Sequence, residues 1–332
     1  MVRVAMLSEW HVHAKGYARE VQNNPETEIA VVWDNDVERG KAFADSLAVE
    51  FEADLDAVLQ RKDVEAVMVN TPTNLHREVI IAAAKAGKHI FTEKVLALTV
   101  EDCRAIADAV AKAGVKFVIS FPHRTMPHNL FAKQVMDEGL IGDINLLRIR
   151  NAHDGASSNW LPPHFYDPEA CGGGAMMDLG AHGMYLARWL LGKPTAISAA
   201  FQNVTGHVVE DNAVALINFG DKAMAINETG FISHRSPFSL ELYGTAGCLR
   251  IGGPDNRVEL FSTKLETAGV NGWIRPDRLP KPLPSALEQW LDGILRDGPI
   301  HFNMHDATQL TELMEGAYRS HKLGQKVSLP LT

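Results

Sequence analysis

Residues 64–93 read "VEAVMVNTPTNLHREVIIAAAKAGKHIFTE" and decide the fold. A short apolar run is followed by a helical stretch that ends in "AKAG", and a second apolar run begins at once. Buried parallel strands read as continuous apolar runs and are joined by helical crossovers, so the stretch predicts a strand, a helix and a parallel strand. Gly87 ends this helix and Gly114 ends the next one after the same "AKAG", which indicates two similar helix-to-strand joints.

The same alternation extends over residues 2–120. Strand-like runs such as "VRVAML", "EIAVVW" and "VKFVIS" alternate with amphipathic helical stretches, one of which begins at Thr99 with Asp102 in the capping-box position. This pattern predicts an α/β fold with a Rossmann-type doubly wound parallel sheet, covered by helices on both faces. We therefore expect residues 1–120 to form a nucleotide-binding domain.

After residue 120 the pattern changes. A helix near residues 127–142 leads to a long strand, to a loop rich in Pro, Trp and Ser, and to a helix over residues 175–192. Several short strands separated by turn residues follow, and two helices close the chain. Short, evenly spaced strands indicate an antiparallel sheet. We therefore expect residues 121–332 to form an α+β domain with an open, mainly antiparallel sheet.

Composition excludes several classes of partner. Hydrophobic residues make up 46% of the chain and charged residues 22%, as in an ordinary soluble protein. No apolar run approaches the roughly 20 residues of a membrane span, and no signal peptide is recognisable, so we expect a cytoplasmic protein without a membrane partner. A net charge of −9, without a cluster of Lys and Arg, argues against nucleic acid. Three scattered cysteines predict small buried residues rather than a disulfide framework.

Side chains just beyond the strands are the first candidates for function, because ligands of open parallel sheets lie at the carboxyl ends of the strands. Asp34 follows the second strand and lies 21 residues after His13. A carboxylate there commonly accepts hydrogen bonds from the adenosine ribose and repels a 2′-phosphate, which predicts NAD rather than NADP. Capping of the next helix is the alternative role for Asp34. Glu93 and Lys94 follow the fifth strand, as a functional pair or a surface ion pair.

The opening turn, residues 7–19, lacks the expected phosphate-binding glycines. Ser8, Trp10 and His13 occupy the glycine positions of a Gly-x-Gly-x-x-Gly pattern. The favoured interpretation is a wider turn that still presents helix N-terminal amides to the pyrophosphate, helped by the imidazoles of His11 and His13 and by Lys15.

Two other interpretations of this turn are weighed against it. In one, the nucleotide site is weakened and the protein has a non-oxidoreductive role. In the other, His11 and His13 bind a metal together with His76, although no third ligand is close in sequence. We predict no metal, because the other expected site residues are all present.

Three further motifs occur in series along the chain. They are Thr71, Pro72 and His76; Glu93, Lys94 and Val95; and three glycines at 172–174 followed by Asp178, Gly180 and His182. In this order and spacing the chain resembles the glucose-fructose oxidoreductase, inositol dehydrogenase and rhizopine-catabolism family, written Gfo/Idh/MocA. The resemblance implies a Rossmann domain, a second domain with an open sheet that often mediates oligomerisation, and NAD(P)-dependent redox chemistry on sugars, cyclitols or related polyols.

Catalytic roles follow from these motifs. Asp178 and His182 are four residues apart in a predicted helix, so they share a face, and the glycines upstream allow the backbone to approach substrate or cofactor closely. His182 suits a base that takes a hydroxyl proton, with Asp178 as substrate ligand or as the residue that orients His182. Lys94 is predicted to hydrogen-bond the reacting oxygen. The resemblance also implies Lys94 as proton acceptor, and both assignments stay open.

The remaining predicted site residues fall into two sets. The cofactor-binding set is Ser8, Trp10, His11, His13, Asp34, Thr71, Pro72, His76, Glu93 and Lys94. The substrate set, placed by the resemblance, is His123, Arg124, His153, Asp154, Trp160 and Tyr185. Tyr185 stands where the family usually has a second carboxylate, and Trp160 could stack on a sugar face. A divalent metal held by His123, His153, Asp154 and His182 is the alternative for this region.

Together these features predict an NAD-dependent dehydrogenase or reductase that transfers a hydride to or from a secondary alcohol of a sugar, cyclitol or related polyol. One alternative is a lyase or hydrolase of oxidised glycosides that uses retained NAD or a metal. Another is a catalytically idle binding protein on the same fold. An uncovered sheet face in the second domain predicts a homodimer or homotetramer.

Overall fold

The computed structural model describes residues 1–331. The chain divides into two compact units. The first comprises residues 1–120 and 284–311, and the second comprises residues 121–283 and the residues from 312 onward.

The strands, in chain order, are β1 (Val2–Leu7), β2 (Thr27–Trp33), β3 (Glu50–Phe51), β4 (Ala66–Val69), β5 (His89–Thr92), β6 (Phe117–Ile119), β7 (Ile144–Ala152), β8 (Ala196–Gln202), β9 (Asn212–Phe219), β10 (Ala223–Gly230), β11 (Ser239–Gly244), β12 (Gly247–Gly252), β13 (Arg257–Ser262) and β14 (Val327–Ser328). The helices are α1 (Ala14–Asn23), α2 (Val37–Leu47), α3 (Leu55–Gln60), α4 (His76–Lys85), α5 (Val100–Ala113), α6 (Pro127–Asp137), α7 (Pro168–Cys171), α8 (Ala181–Leu191), α9 (Thr263–Thr267), α10 (Ala286–Arg296) and α11 (Met304–Leu323).

The first unit contains a six-stranded sheet in the order β3-β2-β1-β4-β5-β6. All neighbouring strands in it are parallel. The order of the strands reverses between β1 and β4, which is the point where open α/β sheets bind their ligands. The predicted doubly wound fold is confirmed.

The predicted helix ends are also found. The Thr99 side chain accepts a hydrogen bond from the Asp102 amide and so caps α5. Gly87 and Gly114 have φ angles of 73° and 66°, the left-handed conformation that glycine adopts without a Cβ clash. Both glycines therefore end their helices in the way that the repeated "AKAG" predicted.

The second unit contains an eight-stranded sheet in the order β13-β12-β11-β7-β10-β9-β8-β14. Strands β7 and β10 pair in parallel, and the other neighbours pair antiparallel. Along β9, buried residues alternate with Val214 and Leu216, whose exposed fractions are 42% and 36%. The sheet is open and mainly antiparallel, as predicted.

The division of the chain differs from the predicted one at residues 284–311, which cluster with the first unit rather than with residues 121–283. Trp290 of α10 is fully buried, with its ring centre 5.8 Å from that of Phe91 in β5. The Ile119 amide of β6 donates to the Phe302 carbonyl at 3.0 Å. This segment therefore completes the core beside β5 and β6 and adds a backbone partner to the edge strand.

Composition predicted neither a membrane span nor a disulfide framework. Within residues 1–331, no helix is long and apolar enough to cross a membrane. The same residues contain no disulfide: Cys103 and Cys171 are buried, and Cys248 is half-buried.

Replacing Trp290 with Ala tests whether α10 belongs to the first unit. Truncation of a large, fully buried aromatic side chain costs about 3–5 kcal/mol of unfolding free energy. We expect a loss of that order in urea unfolding followed by circular dichroism. The control is Trp273→Ala, because the Trp273 side chain is 51% exposed and its loss should change stability little. Equal effects of both substitutions would contradict the assignment.

Candidate active site

The glycine-free turn after β1 begins at Ser8. Its φ angle is 76°, the conformation usually left to glycine. The Ser8 hydroxyl donates to Asp34 Oδ2 at 2.9 Å and accepts from the Trp10 amide at 3.0 Å. The Ser8 side chain therefore holds the turn in a shape that a glycine would reach only through its flexibility.

Asp34, at the end of β2, is fully engaged by the protein. Its buried carboxylate accepts hydrogen bonds from the Ser8 hydroxyl, from the Glu9 amide at 2.9 Å and from both sides of the Arg39 guanidinium. Asp36, rather than Asp34, caps α2, so the capping alternative for Asp34 is wrong. The Arg39 guanidinium is a group that suits a phosphate, but its pairing with Asp34 neutralises its charge.

The start of α1 fits an anionic cofactor. In the described chain, α1 has no side-chain cap and no acidic residue in its first turn. Lys15, in that first turn, pairs with Glu9 at 2.7 Å. The Ala14 amide already donates to the His11 carbonyl at 2.9 Å. An uncapped helix N-terminus favours a phosphate group through the positive end of its dipole. The turn therefore fits the pyrophosphate of a dinucleotide, although it lacks the expected glycines.

His11, His13 and Glu93 meet in the first unit. The His13 Nδ1 atom lies 2.8 Å from Glu93 Oε1, and His11 Nδ1 lies 3.9 Å from the same oxygen. Burial alone would raise the pKa of Glu93, but His11, the hydrogen bond and charge of His13, and Lys94 together lower it well below its usual range. Glu93 is therefore a carboxylate at neutral pH, balanced by its basic neighbours.

Tyr17 extends this cluster. Its hydroxyl donates to Glu93 and lies 2.8 Å from the Ser120 hydroxyl, just past β6. Burial and the negative charge of Glu93 raise the pKa of Tyr17 well above its usual value. The phenol therefore stays protonated and supplies a hydrogen bond to the buried carboxylate.

His76 has a structural role, which removes it as a metal ligand. Its Nδ1 lies 3.0 Å from the Val95 carbonyl and its Nε2 lies 3.1 Å from the Thr71 carbonyl. Burial lowers the pKa of His76, and hydrogen bonds to the backbone oppose this. The ring braces the loop after β4, which continues through Pro72, against the loop after β5. The predicted pairing of His76 with the histidines of the opening turn is wrong.

Lys94 directly follows Glu93 and is buried. Its backbone amide donates to Glu93 Oε2 at 3.0 Å, and its peptide bond with Val95 is cis. The charge of the Lys94 ammonium also contributes to the low pKa of Glu93. Glu93 therefore fixes the loop that carries Lys94 by hydrogen bond and by charge.

In the second unit, His182 is buried in α8. Its Nδ1 lies 2.8 Å from the Tyr185 hydroxyl, which also accepts from the His123 amide at 3.1 Å. The Tyr185 ring stacks on Phe121 with 4.3 Å between ring centres, and the His123 and His182 rings lie 4.5 Å apart. Tyr185 therefore orients His182. The sequence analysis offered Asp178 either for this role or as a substrate ligand.

Asp178 lies in a π-helical turn, Met176–Gly180, that precedes α8. The prediction that Asp178 shares a face with His182 assumed α-helical spacing over this stretch, and it stays a prediction. Burial lowers the pKa of His153. The negative charges of Asp178 and Asp154 raise it again in part. Asp178 is thus close to His153 of the predicted substrate set.

Gly173 and Gly174, before this turn, lie close to other parts of the protein. A Cβ at Gly174 would lie 2.1 Å from the Glu210 carbonyl oxygen, and one at Gly173 would lie 1.9 Å from the Tyr318 hydroxyl. Glu210 Oε1 accepts from the Gly174 and Met176 amides at 3.0 Å each. Burial raises the pKa of Glu210, against the hydrogen bonds that it accepts. These contacts fix the start of the segment that carries Asp178.

The loop after β7 joins three of the predicted substrate residues. The Trp160 indole donates to Asp154 Oδ1 at 3.0 Å, and its ring lies 4.6 Å from that of His153. Hydrogen bonds from Trp160, Ser158 and His234 lower the pKa of Asp154. Trp160 is 54% exposed, so an aromatic face and a carboxylate are available to solvent side by side.

Two further predictions for this region concern Arg124 and an alternative metal site. The Arg124 guanidinium lies 5.3 Å from the centre of the Trp189 ring. Over residues 1–331, the group of His, Cys, Asp or Glu side chains close enough to share a metal is His11, His13 and Glu93. The predicted set of His123, His153, Asp154 and His182 is therefore not brought together as metal ligands.

Several site residues were missed by the sequence analysis. They are Tyr17, Arg39, Ser120, Glu210 and His234. Tyr17 lies one helical turn after His13 and Arg39 lies five residues after Asp34, so local spacing could have suggested both. Glu210 is held by Tyr318, 108 residues away, a contact for which the sequence carries no signal.

The fold and these side chains define the class: a Rossmann-type dinucleotide-dependent enzyme with a second α+β unit. Residues 12–121 match a family described as "Oxidoreductase family, NAD-binding Rossmann fold", and residues 130–250 match the GFO/IDH/MocA C-terminal domain. The chain belongs to the Gfo/Idh/MocA family and is an NAD(P)-dependent oxidoreductase, with NAD as its cofactor.

Similar proteins support this assignment. The chain is 30% identical over 256 residues to scyllo-inositol 2-dehydrogenase (NAD(+)) of Bacillus subtilis, covering 73% of this chain and 70% of that protein. It is 26% identical to inositol 2-dehydrogenase of Rhizobium meliloti over 99% of both chains. Among solved structures it resembles GenD2 from gentamicin A biosynthesis in complex with NAD (TM-score 0.84, 25% identity, 99% of this chain and 97% of that one). A levoglucosan dehydrogenase complex with NADH and levoglucosan has the same fold (TM-score 0.84, 22% identity, 99% and 100%).

The Asp34–Arg39 pair predicts how cofactor preference can be changed. Asp34→Ala removes the carboxylate that repels a 2′-phosphate and also releases Arg39 to bind one. Hydrogen bonds to charged groups contribute about 1.5–3 kcal/mol, so the ratio of kcat/KM with NADP to that with NAD should rise about tenfold or more.

The double variant Asp34→Ala/Arg39→Ala separates the two effects, because it should lose most of this gain. Asp108→Ala, which removes an exposed aspartate of α5, is the control and should leave the ratio unchanged. Equal use of both cofactors by the parent protein would contradict the role of Asp34.

Proposed function

We propose that this protein is an NAD-dependent dehydrogenase or reductase acting on a secondary alcohol of a sugar, cyclitol or related polyol. The observation that carries the proposal is two buried side chains, one in each unit. Lys94 lies in a loop that Glu93 fixes, and Tyr185 orients His182. The inositol dehydrogenases among its relatives support the substrate class.

NAD, when bound, supplies the hydride acceptor or donor. Ser8, His11, His13 and the amides of α1 hold its pyrophosphate, with Trp10 beside them. The structure has Ser8 and Glu9 covering Asp34, so Asp34 acts by fixing this turn and by disfavouring a 2′-phosphate.

Lys94 carries a positive charge close to a buried carboxylate and hydrogen-bonds the reacting oxygen. A cation at that oxygen favours its alkoxide form in the direction of alcohol oxidation. Glu93 is a positioning residue, because it binds the Lys94 amide and keeps the charge of this loop balanced.

His182 takes the hydroxyl proton through Nε2 if its Nδ1 carries a proton that it donates to Tyr185. A tyrosine oxygen can accept two hydrogen bonds, so it can accept from both the His123 amide and the His182 ring. A hydroxyl stabilises the imidazolium less than a carboxylate would, since it carries no charge. Tyr185 thus fixes the orientation of the base with a smaller effect on its basicity.

The loop after β7 supports a hydroxylated ring as substrate. Trp160 offers an exposed aromatic face, and Asp154 beside it offers acceptor oxygens. Aromatic stacking together with carboxylate hydrogen bonds suits the apolar face and the hydroxyl edge of a sugar or cyclitol. In this proposal the substrate also makes polar contacts with Arg124, His123 and His153. Asp178 binds the substrate as well.

The exposed apolar residues of the second sheet support a homodimer or homotetramer. Val214, Leu216 and Met224 of β9 and β10 are exposed by 36–44%. Covering an apolar sheet face with a second copy of the same face is the usual solution in symmetric oligomers.

A two-part assay tests the reaction. Purified protein is denatured and the supernatant is examined for nicotinamide cofactor, and the native protein is then followed at 340 nm with NAD and a panel of inositols, pyranoses and acyclic polyols. We expect a substrate-dependent absorbance change. Retained NAD with substrate loss but no net change at 340 nm would instead indicate a lyase. No bound NAD and no turnover would contradict an enzyme of either kind.

Substitution of Lys94 and His182 identifies the proton acceptor. Lys94→Ala and His182→Ala should each lower kcat by about 10²–10⁴, because each removes a group at the reacting oxygen. NAD affinity, measured by calorimetry, should stay within a few-fold of the parent value. The variant that lacks the base should also lose the acid limb of the kcat–pH profile, whereas the other should keep it.

Matched controls are Lys133→Ala, which removes a half-buried lysine paired with Asp137, and His305→Ala, which removes an exposed histidine. Tyr185→Phe should reduce kcat less than His182→Ala does, since the ring still stacks on Phe121. Normal turnover in both Lys94→Ala and His182→Ala would remove the site assignment.

A further inference from the structure

The opening turn and the end of β5 bring three metal-binding side chains together. His11, His13 and Glu93 each offer one ligand atom, and these atoms lie within 4.8 Å of one another. His11 and Glu93 are buried, while His13 is exposed by 48% at its side chain. Two of the three ligands are therefore shielded from bulk water, and one side of the cluster is open.

The backbone holds this cluster in place without a metal. The His11 amide donates to the Asn70 carbonyl at 3.1 Å, which ties the turn to the end of β4. Glu93 Oε2 accepts from the Lys94 amide at 3.0 Å, while Oε1 accepts from the Tyr17 hydroxyl and lies 2.8 Å from His13 Nδ1. The ligands thus come from the turn after β1 and from the end of β5, two strands of one sheet with β4 between them. Because hydrogen bonds already hold this turn and Glu93, less ordering entropy is lost on binding than in an unstructured segment.

The His11 ring is held with one nitrogen toward Glu93. The His13 amide lies 3.2 Å from His11 Nδ1, and this nitrogen lies 3.9 Å from Glu93 Oε1. A metal binds the neutral form of both histidines, so its charge would replace their protons in balancing the Glu93 carboxylate. Metal binding would exchange the 3.2 Å hydrogen bond for a coordinate bond.

The distances suit a small transition metal. Zinc binds imidazole nitrogen and carboxylate oxygen at about 2.0–2.2 Å, so tetrahedral ligand atoms lie about 3.4 Å apart. The measured 2.8 Å from His13 and 3.9 Å from His11 to Glu93 Oε1 bracket this separation. Small side-chain movements therefore suffice to form the site.

We propose that His11, His13 and Glu93 bind one divalent transition-metal ion, for which Zn²⁺ is the probe. Imidazole with carboxylate favours zinc and neighbouring metals, whereas Mg²⁺ and Ca²⁺ prefer oxygen ligands. Three protein ligands leave a coordination position for water or for an anion. The Lys94 ammonium opposes the metal charge, so the affinity falls below that of a site without it.

The test is calorimetric titration of the EDTA-treated full-length protein with ZnCl₂, in a non-chelating buffer without NAD. We expect one Zn²⁺ per chain. His13→Ala and Glu93→Gln should each weaken binding at least tenfold, since loss of second-shell partners alone costs about 10–100-fold. Glu93→Gln keeps the size of the side chain, and thermal melts check that each variant is folded.

His305→Ala is the matched control, because it removes an exposed histidine outside the cluster and should leave the affinity unchanged. X-ray absorption of the zinc complex should show two imidazoles in the first shell. Absence of binding by the parent protein would overturn the proposal. Binding that survives both His13→Ala and Glu93→Gln would overturn it as well, because the metal would then lie elsewhere. The titration contains no NAD, so its outcome does not depend on the proposed reaction.

Discussion

The hydrogen bond between Ser8 and Asp34 is the constraint on which the nucleotide site depends. A non-glycine residue in the left-handed conformation costs about 1–2 kcal/mol. Hydrogen bonds to a charged group contribute about 1.5–3 kcal/mol each, and Asp34 accepts one from the Ser8 hydroxyl and one from the Glu9 amide. The gain exceeds the strain, so the turn keeps its shape. Asp34 can do this because β1 and β2 are neighbouring parallel strands that end at the same edge.

Charge balance is the second constraint, and Glu93 is its centre. A buried carboxylate is stable only when hydrogen-bond donors and positive charges surround it. His11, His13, Tyr17 and the Lys94 backbone supply them. Bulky rings in the opening turn are thus the partners of a buried acid. They occupy a turn in which glycines would have offered no side chain to that acid.

The fold could be predicted from sequence because its signals are local. Apolar runs, helix periodicity and the glycines at 87 and 114 each act within one or two elements, and the sheet order confirmed them. Position at the strand ends also indicated Asp34, Glu93 and Lys94. One contact distant in sequence was missed: Trp290 on Phe91 joined the segment 284–311 to the first unit. The hydrogen-bond contact of Tyr185 with His182, three residues away in α8, and the π-turn before α8 were not predicted either.

The central claim is that a turn without the expected glycines holds a dinucleotide at the start of α1. A crystal structure of the protein with NAD tests it most directly. The account predicts the pyrophosphate at the first-turn amides of α1, with Ser8 still at positive φ and hydrogen-bonded to Asp34. A complex in which the Trp10 indole or the imidazoles fill that place, and the dinucleotide is absent from it, would contradict the account.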